Sequence, residues 1–165
     1  MDDTARTAQG MTVRREVLGD AHVDRAVAGT TPFTADFQSF ITRYAWGEIW
    51  PRPGLSRAER SMITLTALVV LRQDEELAMH LRAALRNGLT PDQISEVLLH
   101  TAVYAGVPAA NRAFAVAARV LAEAGYEAGQ AFSTASRNRC SEPTPGFPPQ
   151  EKISLLAQPA PMSWS

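Results

Sequence analysis

The sequence predicts an all-α protein built as a single-domain antiparallel helical bundle. Apolar residues recur at the three- and four-residue spacing of amphipathic helices through most of residues 3–124. Capping and breaking residues punctuate that pattern, and no segment shows the alternation typical of strands. Tight connections between short helices favour antiparallel neighbours. A chain of 165 residues is long enough for one domain with a substantial core.

The chain up to the first prolines predicts two short helices and then a longer, aromatic-rich one. Weakly periodic apolar residues over residues 3–18 end at Gly19, and residues 22–28 predict a further turn or two. The longer helix is predicted from Thr31, a capping residue followed by proline, to about Trp50, where two prolines end it. The apolar side chains at helical spacing in this segment are Phe33, Phe37, Phe40, Ile41 and Tyr44.

The next two helices carry clear start and stop signals. Ser56 and Glu59 have the spacing of a capping box for a helix that runs to about Leu71. That helix is apolar almost all the way round, so it belongs in the centre of the bundle or in a subunit interface. Asp74 opens the following helix, and Gly88 is placed to stop it in a left-handed conformation.

The last two predicted helices end the domain at residue 125. Thr90 and Pro91 begin the first of them, Gly106 breaks it, and an Ala-rich helix over residues 109–124 follows. Beyond this point Ser, Pro, Gly and Gln dominate and the apolar pattern fails. We therefore divide the chain into a helical domain, residues 1–125, and a loosely ordered tail, residues 126–165, to which no function is assigned.

Charge and cysteine content narrow the classes of partner and compartment. Sixteen Lys and Arg stand against seventeen Asp and Glu, a balance that argues against nucleic acid as a partner. Cys140 is alone, so no disulfide or CxxC pair forms within one chain, and a cytoplasmic protein is expected. The longest apolar stretch, residues 65–71, is too short to span a bilayer, and no membrane partner is expected.

His80 and Glu48 are the candidates for proton chemistry. His80 follows Glu76 by one helical turn, which fits either an ordinary ion pair on a solvated face or a general acid or base oriented by a carboxylate. Glu48 lies between two tryptophans, where it either holds a proton through a raised pKa or simply pairs with Arg43 or Arg52. The other two histidines, at positions 22 and 100, have no comparable setting in the sequence.

Metal, nucleotide and serine chemistry lack support in the sequence. The three histidines are far apart, and no HxxxH, ExxH or HxH pairing occurs, so no metal site is predicted. No GxGxxG, Walker or GxSxG motif is present either. We therefore expect neither a metal nor an organic cofactor.

Four segments together resemble the carboxymuconolactone decarboxylase family. They are VRREVLGDAHVDRA, TPFTADFQSFITRYAWGEIWPRPGLSRAERSM, EELAMHLRAALRNGLT and VYAGVPAANRAF, and the resemblance covers residues 11 to about 124. RYAWGEIWPRPGL is the most specific element, whereas HLRAALRNGLT and YAGVPAA mark a wider superfamily that includes alkylhydroperoxidase-D-like proteins. The redox branch of that superfamily carries CxxCxxxH, but Gln73 and Glu76 stand at the cysteine positions here, which argues against thiol peroxidase chemistry.

The resemblance implies a fold of the alkylhydroperoxidase-D-like type and a ring-shaped homo-oligomer, commonly a hexamer arranged as a trimer of dimers. It also implies a cofactor-free lyase that converts γ-carboxymuconolactone, a small lactone dicarboxylate, to 4-oxoadipate enol-lactone with loss of CO2 in protocatechuate degradation by the β-ketoadipate pathway. His80 and Glu48 are then expected to handle the proton. The expected carboxylate clamps and site-lining residues are Arg43, Arg52, Arg60, Tyr44, Trp46, Trp50 and Tyr104.

Two other functions stay open on the sequence alone. A member of the same superfamily could act on a different lactone or keto acid, because related scaffolds change substrate. A non-catalytic helical oligomerisation protein is the third hypothesis, and it requires Glu48, His80 and the arginines to be merely structural. An assay of CO2 release and enol-lactone formation discriminates among the three.

Overall fold

The computed structural model describes residues 2–126, which form seven α-helices and one π-helix and contain no strand. The elements are α1 (Asp3–Leu18), α2 (Asp20–Ala28), α3 (Ala35–Ile41), a π-helix (Thr42–Ile49), α4 (Arg57–Leu71), α5 (Asp74–Arg86), α6 (Pro91–Ala105) and α7 (Val107–Glu123). The predicted all-α class is confirmed for this part of the chain. The predicted tail lies outside the described residues, apart from Tyr126.

Local capping chemistry sets the starts of α4 and α6, as the sequence predicts. The amide of Ser56 donates to the Glu59 carboxylate at 2.7 Å, and the amide of Glu59 donates to the Ser56 hydroxyl at 3.2 Å. Thr90 and Gln93 form an equivalent capping box at the start of α6. Each box satisfies amide groups that a helix start leaves without a partner. The stop at Gly88 is also confirmed, since its φ is 94°.

The aromatic segment differs from its prediction in two ways. Thr31 does not cap the helix: its carbonyl accepts from the amide of Thr34 at 3.0 Å, and its own amide donates to the Thr34 hydroxyl at 2.9 Å. This closed turn delays the start of α3 to Ala35. Further along, the helix widens, and the amide of Trp50 bonds the carbonyl of Ala45 five residues back at 3.0 Å. Such π-helical turns are rare and frequent at functional sites.

Helices α4 to α7 enclose the main hydrophobic core. Its fully buried side chains include Leu65 of α4, Leu77 and Leu81 of α5, Leu98 of α6 and Val120 of α7. The helix predicted to be apolar all round, α4, is central to this core, but its Ile63, Val70 and Leu71 side chains are exposed. Two hydroxyl groups tie α4 to α6, since Thr66 and Thr101 lie 3.2 Å apart.

A second, smaller cluster joins α1 to the π-helix and to α5. Val13 and Val17 of α1 pack with Trp46 of the π-helix and with Ala83 of α5. Because Ala83 lies one turn after His80, this cluster holds the aromatic segment beside the helix that carries the histidine. No helix among residues 2–126 combines the length and hydropathy needed to cross a membrane.

Candidate active site

His80 lies on α5 as a half-buried imidazole without charge at neutral pH. Its pKa is lowered from 6.5 to about 4, mainly by burial and secondarily by the charge of His22, while Glu76 only partly opposes these two effects. No hydrogen bond or ion pair joins Glu76 to His80 among the described residues. The interpretation of His80 as half of a solvated ion pair is therefore wrong, and what remains is a neutral, desolvated imidazole.

His22, which has no notable setting in the sequence, is an electrostatic neighbour of His80 in the structure. It lies on α2. Its pKa is lowered mainly by burial and also by the positive charges of Arg14 and Arg25. Its own charge in turn lowers the pKa of His80. Two histidines and two arginines from three helices thus share one electropositive region.

Arg14 is the buried charge of this region. Only 5% of the residue is exposed, and burial lowers the pKa of its guanidinium below the ordinary value. Its Nη1 donates to the side-chain oxygen of Gln38 at 3.1 Å and to the hydroxyl of Thr42 at 3.4 Å. Its Nε is buried and has no hydrogen-bond partner, and no carboxylate among residues 2–126 forms an ion pair with it.

The position of Arg14 on the apolar face of α1 is a sequence signal for a functional charge. The buried residues of α1 are Gly10, Val13, Arg14 and Val17, which follow the spacing of one helical face. A charged residue on an apolar stripe is the informative departure from the usual pattern. The same segment, VRREVLGDAHVDRA, also contains His22.

Trp46 and Trp50 form an apolar wall next to α5. Their rings stack with centroids 5.1 Å apart and an angle of 26° between planes. Trp46 is buried and packs with Ala83, while Trp50 contacts the same cluster from its edge.

Glu48 faces α1 and not α5. Its Oε1 forms an ion pair with Arg6, 2.6 Å from Nε of that residue, and its side chain is 37% exposed. Neither of the ion-pair partners predicted from sequence, Arg43 or Arg52, is the one found. No hydrogen bond, ion pair or electrostatic effect connects Glu48 with His80 within the described part of the chain. The predicted placement of these two residues in one pocket stays a prediction.

The other predicted clamps and lining residues are spread over three places. Arg43 bonds Asp3 at 2.7 Å, and Tyr44 lies beside it, with the Arg43 guanidinium 5.8 Å from its ring centroid. Arg60 donates to the carbonyl of Arg52 at 2.9 Å, near the start of α4. Tyr104 is 77% exposed on α6, with its ring 5.3 Å from that of His100. None of these groups has a hydrogen bond, ion pair, ring contact or electrostatic effect with His80 within the described residues.

An open cleft of about 410 Å³ lies beside His22, between the α1–α2 corner and α5. Its lining includes the basic residues His22, Arg25, Arg82 and Arg86. The one acidic residue of the lining, Asp20, pairs with Arg15 at 3.1 Å. Arg82 also pairs with Glu123 at 2.6 Å. No group of three potential metal ligands occurs in residues 2–126. The chemistry of this face suits an anion.

Comparison with known proteins identifies relatives over most of the chain. The sequence model of the Carboxymuconolactone decarboxylase family matches residues 35–119. A 4-carboxymuconolactone decarboxylase of Acinetobacter baylyi is 48% identical over 125 residues, which cover 76% of this chain and 93% of that protein. A nitrosuccinic acid decarboxylase of Metarhizium robertsii is 42% identical over 113 residues, or 68% of this chain and 79% of that protein. A 48-residue 4-carboxymuconolactone decarboxylase sequence of Pseudomonas putida is 52% identical over its whole length and 29% of this chain.

Proposed function

Because the chain belongs to the carboxymuconolactone decarboxylase family, we propose that it removes CO2 from γ-carboxymuconolactone and releases 4-oxoadipate enol-lactone. The observation that carries the proposal is the neutral, half-buried His80 in an electropositive region, within a chain that is 48% identical to an enzyme named for this reaction. A lactone dicarboxylate is an anion of the right charge for that region.

The substrate supplies its own electron sink. When the bond between the γ-carbon and its carboxylate breaks, the electron pair enters the ring and delocalises through the C=C bond onto the lactone carbonyl oxygen. One proton then adds to the α-carbon of this furan-like enolate and gives the enol-lactone. The protein has to bind two carboxylates, stabilise the oxyanion and deliver that proton, all of which ordinary side chains can do.

His80 is the proton carrier that we propose. Its lowered pKa leaves the imidazole neutral in the free protein at neutral pH. A bound dianion raises the pKa of a neighbouring imidazole, because an opposite charge favours the protonated form. His80 therefore takes up a proton from solvent as the substrate binds and passes it to the α-carbon after CO2 has left.

Trp46 and Trp50 are the wall that we propose for the departing carboxylate. A carboxylate loses its charge when it leaves as CO2, so an apolar surface favours the products of that step over the charged ground state. The stacked pair lies beside α5 through the contact of Trp46 with Ala83. The roles of Arg43, Arg52, Arg60, Tyr44 and Tyr104 stay predictions, since none contacts His80 within one chain.

A homo-oligomer, in the form of a hexameric ring, is also part of the proposal. Its support is the apolar surface that α4 and α6 leave exposed, where Val103 is 78% and Leu71 64% exposed. Monomers rarely expose large contiguous apolar patches. Sedimentation at micromolar concentration tests this, and a monomer there would contradict it. We further propose a cytoplasmic location, because the sequence contains a single cysteine, Cys140.

A second candidate substrate is nitrosuccinate, because a relative with 42% identity is named as its decarboxylase. Nitrosuccinate is likewise a dicarboxylate, and its nitro group is likewise an internal electron sink for the carbanion. The same binding region and the same proton transfer to carbon would serve both substrates.

The deciding experiment measures CO2 release from each substrate by the purified protein under identical conditions. For γ-carboxymuconolactone, the loss of substrate absorbance follows the same reaction. We expect kcat/KM for the lactone to exceed that for nitrosuccinate by at least tenfold. A reversed preference would assign the second function, and no release from either compound would favour a different lactone or keto acid or a non-catalytic role.

A further inference from the structure

We propose that Arg14 and His22, on α1 and α2, bind the acetate-arm carboxylate of the substrate at a site next to His80. This inference rests on the proposed function for the identity of the ligand, whereas the anion site itself rests on geometry. Both residues precede the region that the family model matches, residues 35–119. The site therefore adds an N-terminal part to the candidate active site.

The first argument is the unsatisfied chemistry of Arg14. A guanidinium has five N–H donors, and the described partners of Arg14 are two neutral oxygens, both on Nη1. Its Nε is buried without a partner. An unmade hydrogen bond to a buried donor costs about 1–3 kcal/mol, and more for a charged group. A bound carboxylate would supply the missing acceptors and the missing negative charge.

The second argument is the contrast with the other arginines of the chain. Several arginines with more exposed side chains have an acidic partner, although solvent would hydrate them without one. They are Arg6, Arg15, Arg43, Arg57, Arg82 and Arg112. Arg14 is buried and has none among residues 2–126. A buried arginine with a purely structural role is usually paired, because its desolvation is otherwise uncompensated.

The third argument is that His22 connects the buried charge electrostatically with the open cleft. His22 feels the charges of Arg14 and Arg25, influences His80, and also lines the open cleft. A ligand carboxylate that enters from the cleft therefore meets His22 on its way to Arg14. Three basic groups of the cleft wall favour the entry of an anion.

Of the two substrate carboxylates, the retained one fits this site. A guanidinium on the departing carboxylate would stabilise the charged ground state and raise the barrier to CO2 loss. On the acetate arm it contributes binding that persists through the reaction. Arg14 then anchors the substrate while the departing carboxylate is free to face the tryptophan wall.

The test measures binding of homocitric acid γ-lactone by calorimetry. This compound has the ring and both carboxylates of γ-carboxymuconolactone but lacks the ring C=C bond, so it cannot lose CO2 by the same route. We expect Arg14→Gln to raise Kd by about 10- to 100-fold, the range for a lost charged hydrogen bond, and Arg14→Lys to raise it less. Arg57→Gln is the matched control, because Arg57 pairs with the exposed Glu16 and neither residue lines the cleft.

A second readout locates the ligand without relying on Arg14 variants. The chain has three histidines, so its histidine Cε1–H NMR signals are few and can be assigned with single His→Asn variants. We expect the lactone to shift the signals of His22 and His80 and to leave that of His100 unchanged. His22→Asn, at a half-buried position, is expected to weaken binding several-fold even if Arg14→Gln does not fold.

Two results would overturn the site: equal Kd values for Arg14→Gln, Arg57→Gln and the unmodified protein, or a ligand-induced shift confined to His100. The proposed function fails separately. If the analogue binds and shifts His22 and His80 but γ-carboxymuconolactone releases no CO2, the anion site stands and the reaction assignment does not. If the unmodified protein releases CO2 from γ-carboxymuconolactone but Arg14→Gln binds the analogue with normal Kd, the proposed anion site fails and the proposed reaction stands.

Discussion

Gly10 of α1 and Gly47 of the π-helix lie against each other where the two elements cross. A Cβ atom on Gly10 would lie 3.1 Å from the backbone nitrogen of Gly47 and only 2.0 Å from the carbonyl oxygen of Thr42. A Cβ atom on Gly47 would lie 2.5 Å from the carbonyl oxygen of Arg6. The two helix backbones touch without side chains between them, and this contact brings Arg14 beside Thr42 and Trp46 beside Val13.

We expect Gly10→Ala to destabilise the fold by about 3 kcal/mol or more, the upper part of the range for overpacking, because the clash is with backbone. The measurement is the denaturant midpoint of unfolding. Gly54→Ala is the control, since no atom lies within 4 Å of its added Cβ. That variant is expected to be neutral or slightly stabilising. Equal midpoints for the two variants would show that α1 does not pack this tightly.

His80→Ala is expected to lower kcat by roughly 10²- to 10⁴-fold with a modest change in KM, because it removes the proton carrier and leaves the carboxylate contacts in place. The measurement is the steady-state rate of CO2 release from γ-carboxymuconolactone. His100→Ala serves as the control, since His100 is exposed on α6. A near-normal kcat in folded His80→Ala would contradict this role and make Tyr44, Tyr104 or a bound water the proton donor.

The Glu48–Arg6 ion pair predicts a mild result for Glu48→Gln. A partly exposed pair contributes about 0–1 kcal/mol, so a small loss of stability with kcat within about threefold of normal is expected. Arg6→Gln removes the same pair and also the Arg6–Asp3 ion pair at 2.7 Å, so a larger loss of stability, again with near-normal kcat, is expected. A fall in kcat of about 100-fold for Glu48→Gln alone would instead restore the role in proton transfer that the sequence suggests.

The free energy of unfolding is expected to decrease as the pH is lowered from about 6.5 to 4, because of His80. The pKa of His80 is about 4 in the folded protein and 6.5 in the unfolded chain, so the unfolded state binds more protons in this window. The contribution of His80 to the free energy of unfolding is fully present above about pH 6.5, and roughly 3 kcal/mol of it is lost as the pH falls to 4. The denaturation free energy of His80→Asn, measured against pH, is expected to lack this component. If the free energy of unfolding depended on pH in the same way in His80→Asn and in the unmodified protein, this contribution of His80 would be disproved.

Decarboxylase activity is expected to survive exhaustive chelation and to need no added thiol. The reasons are the lack of metal-ligand spacing in the sequence, the lack of a group of three potential ligands in residues 2–126, and Gln73 and Glu76 at the cysteine positions of the redox branch. The measurement is CO2 release before and after EDTA treatment. Activity lost with EDTA and regained with a divalent ion would contradict the expectation.

Where an interaction is local, the sequence was sufficient. The capping box at Ser56 and Glu59, the stop at Gly88 and the apolar stripe of α5 were all predictable, because each depends on residues within one or two turns. The aromatic segment was predicted less well. Its start depends on a turn between two threonines, and its widening into a π-helix accompanies contact with α1, which is distant in sequence.

The sequence by itself determined the helical class, most helix boundaries, the family resemblance and the choice of His80, because helical periodicity, caps and motifs are written in neighbouring residues. Only the tertiary structure decided which charges meet. It paired Glu48 with Arg6, left buried Arg14 without a carboxylate partner among residues 2–126, and brought His22 close enough to lower the pKa of His80. Burial and Coulomb interactions depend on distance in space, and the packing of α1 against the π-helix and α5 sets those distances.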